Sequence, residues 1–431
     1  MLRQQIRAVS SLLSTMTLIG LCVGMTSTLL SLRGTMEGFT TVTIGLIMSA
    51  YFIGYLFGAT RAPKDIRRVG YIRAFGGLAA LASVAVLVQA IWIDPIVWLI
   101  MRFISGFAIS ALFVIAESWL NTMADNRNRG AMLSVYLVLI YGGLVVGQLI
   151  LGFADPATFV PFAIIALLIN VSLIPILATI TVEPTTHEAK KVPLKLLLEQ
   201  APLGIVTAFI MQACSAMFYG VGPVYATAIG LSVTQVTIFM AAFLFGGMVL
   251  QTPVGLLSDR FDRRVVLAFC ALTSAVLALI LAQIPGTQPV LIYAVMIALG
   301  GSLLPLYSLA MAHTNDYLTK DQMIGATGAI VKVGGIGAIV GAPLAAVLMQ
   351  FGSMNLFFVL MAVFTGTVSI YAFYRITQRA KASDQMHSPL MGIAPAQPSE
   401  ELLASLVEEA NEDFDEPDGN IPVKPGSGSV V

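Results

Sequence analysis

The chain has 431 residues, of which 57% are hydrophobic and 11% are charged. Soluble domains average about 45–50% apolar residues, so this composition indicates a protein embedded in a lipid bilayer. Equal numbers of basic and acidic residues, 23 of each, leave no net charge and argue against nucleic acid as a partner. The three cysteines, Cys22, Cys214 and Cys270, lie in apolar runs without CxxC spacing, so we expect no disulfide, metal site or cofactor.

Twelve apolar runs follow one another along the chain. A bilayer core of about 30 Å needs about 20 residues of helix, and backbone in lipid must satisfy its own hydrogen bonds. The alternating pattern of a membrane β-barrel is missing from the runs. The sequence therefore predicts an all-α membrane protein with twelve transmembrane helices. The runs cover residues 10–30, 41–60, 72–92, 96–119, 131–153, 159–181, 202–225, 234–257, 265–284, 289–312, 323–349 and 355–375.

A polar segment after the sixth run divides the runs six plus six. It predicts an N-terminal six-helix bundle at residues 1–181, a cytoplasmic linker at 182–201 and a C-terminal six-helix bundle at 202–376. After the last run the composition becomes acidic and rich in Pro, Gly and Ser. Because such a segment can bury little apolar surface, residues 377–431 are predicted to be a disordered cytoplasmic tail.

The basic residues predict the orientation of the chain in the membrane. The N-terminus, the even-numbered connections and the C-terminal flank hold 19 Lys and Arg residues, whereas the odd-numbered connections hold only Arg33. Short cytoplasmic loops carry an excess of Lys and Arg. We therefore expect both termini to be cytoplasmic.

The two groups of six runs are similar to each other in sequence. Arg102–Gly106 in the fourth run matches Ile297–Gly301 in the tenth, and the loop Gly58–Arg68 matches Gly255–Arg264 with one extra residue. Because each group has an even number of runs, the two copies have the same orientation. This is the parallel repeat that is found in one large class of transporters.

The charged loop Gly255–Arg264 resembles the signature loop between helices eight and nine of the major facilitator superfamily. Two further stretches, Glu117–Asn121 and Pro305–Asp316, are similar to the YcaD-like bacterial branch of that superfamily. The resemblance covers about residues 8–376. It implies two pseudo-symmetric six-helix halves that cross the bacterial inner membrane several times and transport a solute by alternating access.

The resemblance also implies that the charged loops form a cytoplasmic network that locks the halves and opens during transport. A simpler alternative is that the arginines only anchor the topology and that Glu117 and Asp316 are solvated helix ends. Asp259 favours the network, since arginine alone would serve as an anchor. The first-half loop has no acid in the place of Asp259. The predicted gating residues are Asp259, Arg260, Arg263, Arg264, Glu117, Asp316, Arg67 and Arg68.

Two cations lie inside the apolar runs, Arg102 in the fourth and Lys332 in the eleventh. Charges at such depth cost at least about 2.5–3.5 kcal/mol and usually face a cavity or a partner. If both face one cavity, they favour an anionic substrate; alternatively, Arg102 satisfies backbone carbonyls and Lys332 snorkels to the interface. The segment Arg102–Gly106 also resembles the arginine motif in helix four of the superfamily, which implies proton coupling. The predicted substrate-binding residues are Arg102, Lys332, Gln212, Tyr219, Gln251 and Tyr307.

These features predict a secondary transporter, expected to be monomeric, for a small organic anion or amphipathic metabolite. One alternative is a proton-driven multidrug efflux pump; another is a membrane sensor or scaffold that does not transport. An enzyme is not expected, because the sequence lacks HExxH spacing and a Ser/His/Asp arrangement.

Overall fold

The computed structural model describes residues 2–123, 129–177 and 193–378. The predicted tail lies almost wholly outside these residues, as does most of the predicted linker. The helices of the described residues are α1 (Leu2–Met36), α2 (Thr41–Val69), α3 (Tyr71–Ile91), α4 (Pro95–Met123), α5 (Arg129–Leu151), α6 (Val160–Leu177), α7 (Leu194–Gln200), α8 (Pro202–Ala228), α9 (Val233–Arg260), α10 (Arg263–Leu281), α11 (Pro289–Leu303), α12 (Pro305–Asn315), α13 (Lys320–Phe351) and α14 (Leu356–Gln378).

Within the described residues, eleven helical segments are long and apolar enough to cross a membrane. The shorter apolar segment Val135–Leu151 of α5 completes twelve crossings and confirms the predicted architecture. The tenth crossing consists of α11 and α12, which are separated at Leu304 because Pro305 lacks the amide that would continue the helix. The short helix α7 lies inside the segment that was predicted to be a linker.

Successive crossings run in opposite directions and give the bundle two faces. We call the face with the turns at Gly70 and Asp262 the terminal face, because α1 begins and α14 ends there. The opposite face, with the turns at Gly38 and Gly230, is the far face. Both of these far-face glycines have positive φ, 75° and 90°, which a residue with a side chain rarely adopts.

Parallel helices within each half pack through glycines. Gly54 of α2 and Gly106 of α4 each lie directly against the backbone of the other helix, and Gly246 of α9 and Gly300 of α11 do the same. A Cβ atom at any of the four would overlap a backbone carbonyl oxygen. Small residues allow this close approach in lipid, where packing has to hold helices together. The repeat therefore pairs Gly106 with Gly300, one residue away from the predicted match with Gly301.

The structure also shifts the predicted match between the two charged loops. Gly70 precedes α3 and Asp262 precedes α10, and each lies 29 residues after the first residue of the preceding helix. The counterpart of Arg263 is therefore Tyr71 and not Arg67. Tyr71 shares a hydrogen bond of 2.8 Å with Ser118, so the first half has a neutral contact where the second half has a buried ion pair.

The two halves contact each other near the far face, where α2 packs on α13, α5 on α9 and α1 on α8. A Cβ atom at Gly45 would collide with Ala346 of the other half, so the backbones approach closely here as well. Hydrogen bonds reinforce these contacts and close the far face. They join Val42 N to Gln350 Oε1 (2.9 Å), Ser31 Oγ to Gly220 O (2.7 Å) and Thr234 Oγ1 to Gly152 O (2.9 Å).

Candidate substrate cavity and charge cluster

A cavity lies inside the bundle and is lined by α1–α6 and α8. Its volume is about 80 Å³, and since one water needs about 10–15 Å³ by this measure, several waters or a small solute fit. The lining is mostly apolar, and the described residues contribute no carboxylate to it. The side chains that bring hydroxyl, amide or guanidinium groups are Thr26, Ser27, Tyr51, Arg102, Ser105, Gln212, Ser215 and Tyr219.

Arg102 is the charged group of this cavity. Its side chain is only 5% exposed, and its Cζ atom lies 4.4 Å from the centre of the Tyr51 ring. The buried Nε of Arg102 and the buried hydroxyl of Ser105, one turn later on α4, have no hydrogen-bond partner among the described residues. Nor does any carboxylate of the described residues form an ion pair with Arg102. The guanidinium is therefore held by an aromatic face and compensated by no protein anion within that part of the chain.

Gln212 and Tyr219 line the same cavity from α8. The side chain of Gln212 is 5% exposed and packs beside Gly334 of α13, where an added Cβ would press on its Cγ. Because α8 belongs to the second half, both halves contribute to the cavity lining. Most of the lining residues belong to the first half.

Gln251 and Tyr307 lie elsewhere, outside the cavity lining. The amide of Gln251 donates to Ser308 Oγ at 2.6 Å, so it links α9 to α12. Tyr307 is completely buried, and its hydroxyl has no hydrogen-bond partner in the described part of the chain. The structure thus places both in the packing of the second half.

Lys332 is exposed on α13 and does not line the cavity. At about 100° per residue, it lies about 180° around the helix from Gly341, which faces the backbone of α8. Lys332 therefore points away from α8. The expectation of two cations in one cavity is not met, and Arg102 is the cation that lines it.

A charge cluster lies at the terminal face of the second half. Arg263 is 2% exposed and donates to Asp316 Oδ1 at 2.7 Å, to the carbonyl of Ala312 at 3.2 Å and to Asp259 Oδ1 at 3.1 Å. Asp316 is also buried, whereas the side chain of Asp259 is 32% exposed. These contacts tie α9, α10 and α12 of one half to each other.

Arg264 and Asp262 form a second ion pair of the cluster, with 2.7 Å between the guanidinium and the carboxylate. Burial by itself would raise the pKa of Asp262, but the hydrogen bonds and the charge of Arg264 outweigh it and hold that pKa below its ordinary value. Arg260 and Arg68 are exposed, and the side chain of Arg67 lies outside the described residues.

Glu117 and Asp316 are both 2% exposed, so the alternative that they are solvated helix ends is wrong. Tyr136 of α5 donates a hydrogen bond of 3.0 Å to Glu117 Oε1. Glu117 lies inside the membrane-crossing segment Pro95–Leu120. The hydroxyl of Tyr136 therefore stabilises the buried carboxylate of Glu117.

Five polar residues of the cavity lining were missed in the sequence: Thr26, Ser27, Tyr51, Ser105 and Ser215. Ser105 could have been found, because a residue three positions after Arg102 shares its helix face. Tyr51 could not, since its contact with Arg102 depends on how the two parallel helices are aligned.

The sequence profile of the Major Facilitator Superfamily matches residues 12–232 and 204–402 of this chain. A protein of Escherichia fergusonii, described as the uncharacterized MFS-type transporter YcaD, is 28% identical over 358 residues, which make up 83% of this chain and 92% of that protein. The protein of the same description from Escherichia coli O7:K1 has the same identity and coverage.

Solved structures show the same fold. A variant of the nucleoside transporter NupG superimposes with a TM-score of 0.73 at 12% identity, covering 85% of this chain and all of NupG. The fucose:proton symporter FucP of E. coli gives a TM-score of 0.55 at 18% identity, covering 86% of this chain and 99% of FucP. The profile match, the relatives and the twelve-helix arrangement agree: this chain belongs to the Major Facilitator Superfamily of transporters.

Proposed function

We propose that the protein is a secondary transporter that moves a small organic anion or amphipathic metabolite by alternating access. The observation that supports this proposal is the environment of Arg102, which is 5% exposed, lines the cavity and has no anionic partner among the described residues. Burying a charge in a membrane is costly, so such residues usually mark a substrate or ion pathway.

A carboxylate is well suited to this position. Guanidinium groups bind carboxylates through two parallel hydrogen bonds, which are stronger than hydrogen bonds between neutral groups. Ser105 adds a hydroxyl one turn away on the same helix. A bound anion would therefore satisfy groups that the described protein residues leave unsatisfied, and the free energy gained would depend on the negative charge of the solute.

The arrangement of the halves is compatible with alternating access. Hydrogen bonds between the halves close the far face above the cavity. Rocking of the two halves about a central site would break these contacts and open that face. The terminal face, where the ion pairs join helices of the second half, would close as the far face opens.

Uptake into proteoliposomes tests the proposed function. The purified protein is supplied with a panel of labelled organic anions, with a nucleoside and a sugar as neutral solutes, with and without a pH gradient. We expect uptake of at least one anion above that of empty liposomes, and loss of that uptake in Arg102→Gln. Uptake of neutral solutes alone, unchanged in Arg102→Gln, would overturn the proposal.

A second candidate is proton-driven export of hydrophobic drugs, which the mostly apolar lining of the cavity favours. The same variant separates the two functions. Export of an uncharged drug should survive in Arg102→Gln, because it gains little from a cation, whereas transport of an anion should not.

A further inference from the structure

The cavity lining combines one positive charge with neutral polar groups and apolar side chains. Besides Arg102, its polar groups are neutral hydroxyls and amides, and no carboxylate lines it among the described residues. The rest of the lining is mostly apolar and includes Phe52, Phe113 and Ile169. The second deep cation, Lys332, is exposed on α13 and outside the lining.

From this wall we infer that the solute is a monocarboxylate with a compact apolar body, and that zwitterions and dicarboxylates are rejected. The inference rests on the proposed function and narrows it to one substrate class. Arg102 recognises the single carboxylate, Ser105 adds a hydrogen bond, and the apolar wall takes up the rest of the molecule.

An amino acid is disfavoured because its ammonium group would lose its hydration without meeting a counter-ion among the described lining residues. A dicarboxylate is disfavoured for the corresponding reason, since the described lining offers its second charge no cation. An unpaired charge at such depth costs enough to weaken binding by about 100-fold. Selectivity therefore depends on Arg102 and, equally, on the lack of an anion and of a second cation in the described lining.

The position of Tyr51 supports a single carboxylate at one edge of the guanidinium. The Cζ atom of Arg102 lies over the Tyr51 ring, 4.4 Å from its centre. An aromatic ring in this position attracts the cation and holds its orientation without neutralising its charge. The N–H groups at the guanidinium edge are the ones that carboxylate oxygens bind in pairs.

Two matched series of compounds test the inference by calorimetry on the protein in lipid nanodiscs, with empty nanodiscs subtracted. The phenyl series is 3-phenylpropanoate, 3-phenylpropan-1-ol, phenylalanine and benzylmalonate. The branched series is 4-methylpentanoate, 4-methylpentan-1-ol, leucine and isobutylmalonate. Within each series the apolar body stays the same while one charged group is removed or added.

In at least one series we expect the monocarboxylate to bind about 10–100-fold more tightly than the alcohol, because hydrogen bonds to charged groups are the strong ones. The amino acid and the dicarboxylate should bind about 100-fold more weakly than the monocarboxylate. In Arg102→Gln the preference for the acid over the alcohol should disappear.

The outcomes separate the inference from the proposed function. If amino acid and dicarboxylate bind within about threefold of the monocarboxylate, the inference is overturned while an anion site at Arg102 stands. If neither monocarboxylate binds, or if both bind equally well to Arg102→Gln, the anion site itself is overturned, and the inference with it.

Discussion

Arg102 carries a charge into a part of the bundle where a charge is costly unless something compensates it. Two residues of similar charge and depth in the sequence, Arg102 and Lys332, differ completely in the structure: one lines a cavity and the other is exposed. The depth of both could be predicted from hydropathy. The direction of Lys332 could have been predicted too, from its helical phase relative to Gly341, whereas the contact between Arg102 and Tyr51 could not.

Replacing Arg102 by lysine keeps the charge but removes the planar pair of donors. We expect Arg102→Lys to retain transport of an organic anion with a KM about tenfold higher, since roughly 1.4 kcal/mol separates one strong hydrogen bond from two. Initial rates in proteoliposomes over a range of solute concentrations measure this. A KM equal to that of the wild type would show that paired hydrogen bonds are not made.

The buried pair Arg263–Asp316 and the half-exposed pair Arg263–Asp259 allow a matched comparison of ion pairs. Removing a carboxylate from a buried pair costs about 3–5 kcal/mol, whereas exposed pairs contribute about 0–1 kcal/mol. We expect Asp316→Asn to lower the Tm of the purified protein clearly and Asp259→Asn to leave it nearly unchanged. Equal decreases in Tm for the two variants would contradict the expectation that the buried acid contributes more stability than the partly exposed one.

Asp259→Asn should instead lower transport while membrane insertion stays normal, because this partly exposed acid can exchange partners when the terminal face closes. Uptake is measured per inserted molecule, with insertion quantified by surface labelling. Uptake at the wild-type rate would show that Asp259 has no part in gating.

The pKa of Asp262 predicts how stability depends on pH. Because this pKa is lower in the folded protein, the contribution of Asp262 to stability is complete above the pKa of the unfolded chain and is lost as the pH falls through the folded value. We expect Asp262→Asn to reduce the Tm at neutral pH and to flatten its decline in acid. Parallel Tm curves of variant and wild type would contradict this.

At the scale of helices, apolar runs predicted where the chain crosses the membrane, because length and hydropathy depend on local sequence alone. The break at Leu304 and the short helix α7 were missed, since a single proline and a seven-residue helix change hydropathy little. The sequence match between the two charged loops was wrong because it aligned their arginines with each other. The helix ends and the glycine contacts give the structural alignment of the two halves.

Two adjacent glycines of α5 test the importance of close helix packing. Gly143 faces the backbone of α1 at Thr17, whereas nothing lies within 4 Å of a Cβ added at Gly142. We expect Gly143→Ala to lower the Tm and Gly142→Ala to leave it unchanged or raise it slightly, because alanine favours helix by up to about 1 kcal/mol. The reverse order of stabilities would show that α1 and α5 do not pack as described.

At the scale of the whole molecule, the contacts between the halves could not be predicted from one sequence, because they join residues about 80–310 positions apart. They define a state that is closed at the far face. Under the proposed alternating access, the far-face hydrogen bonds between the halves would have to break before a solute could leave through that face.

Joining the halves at the far face should stop transport. Val42→Cys combined with Gln350→Cys places two thiols where a hydrogen bond now links the halves. We expect uptake to fall on cross-linking with a short bifunctional reagent or by oxidation, and a reducible cross-link to be reversed by a thiol reductant. Each single variant treated in the same way is the control. Full uptake by quantitatively cross-linked protein would rule out alternating access through this face.

The central claim is that Arg102 holds the negative charge of a transported anion, and one pair of variants tests it most directly. Arg102→Gln and Lys332→Gln each remove one positive charge from an apolar helix, but only Arg102 lines the cavity. The measurement is the initial uptake of an organic anion that the wild type transports. We expect the uptake rate to fall about 100-fold in Arg102→Gln, because the buried negative charge of the solute would then be unpaired. Lys332→Gln should take up the anion at the wild-type rate. Equal uptake by the two variants would contradict the account.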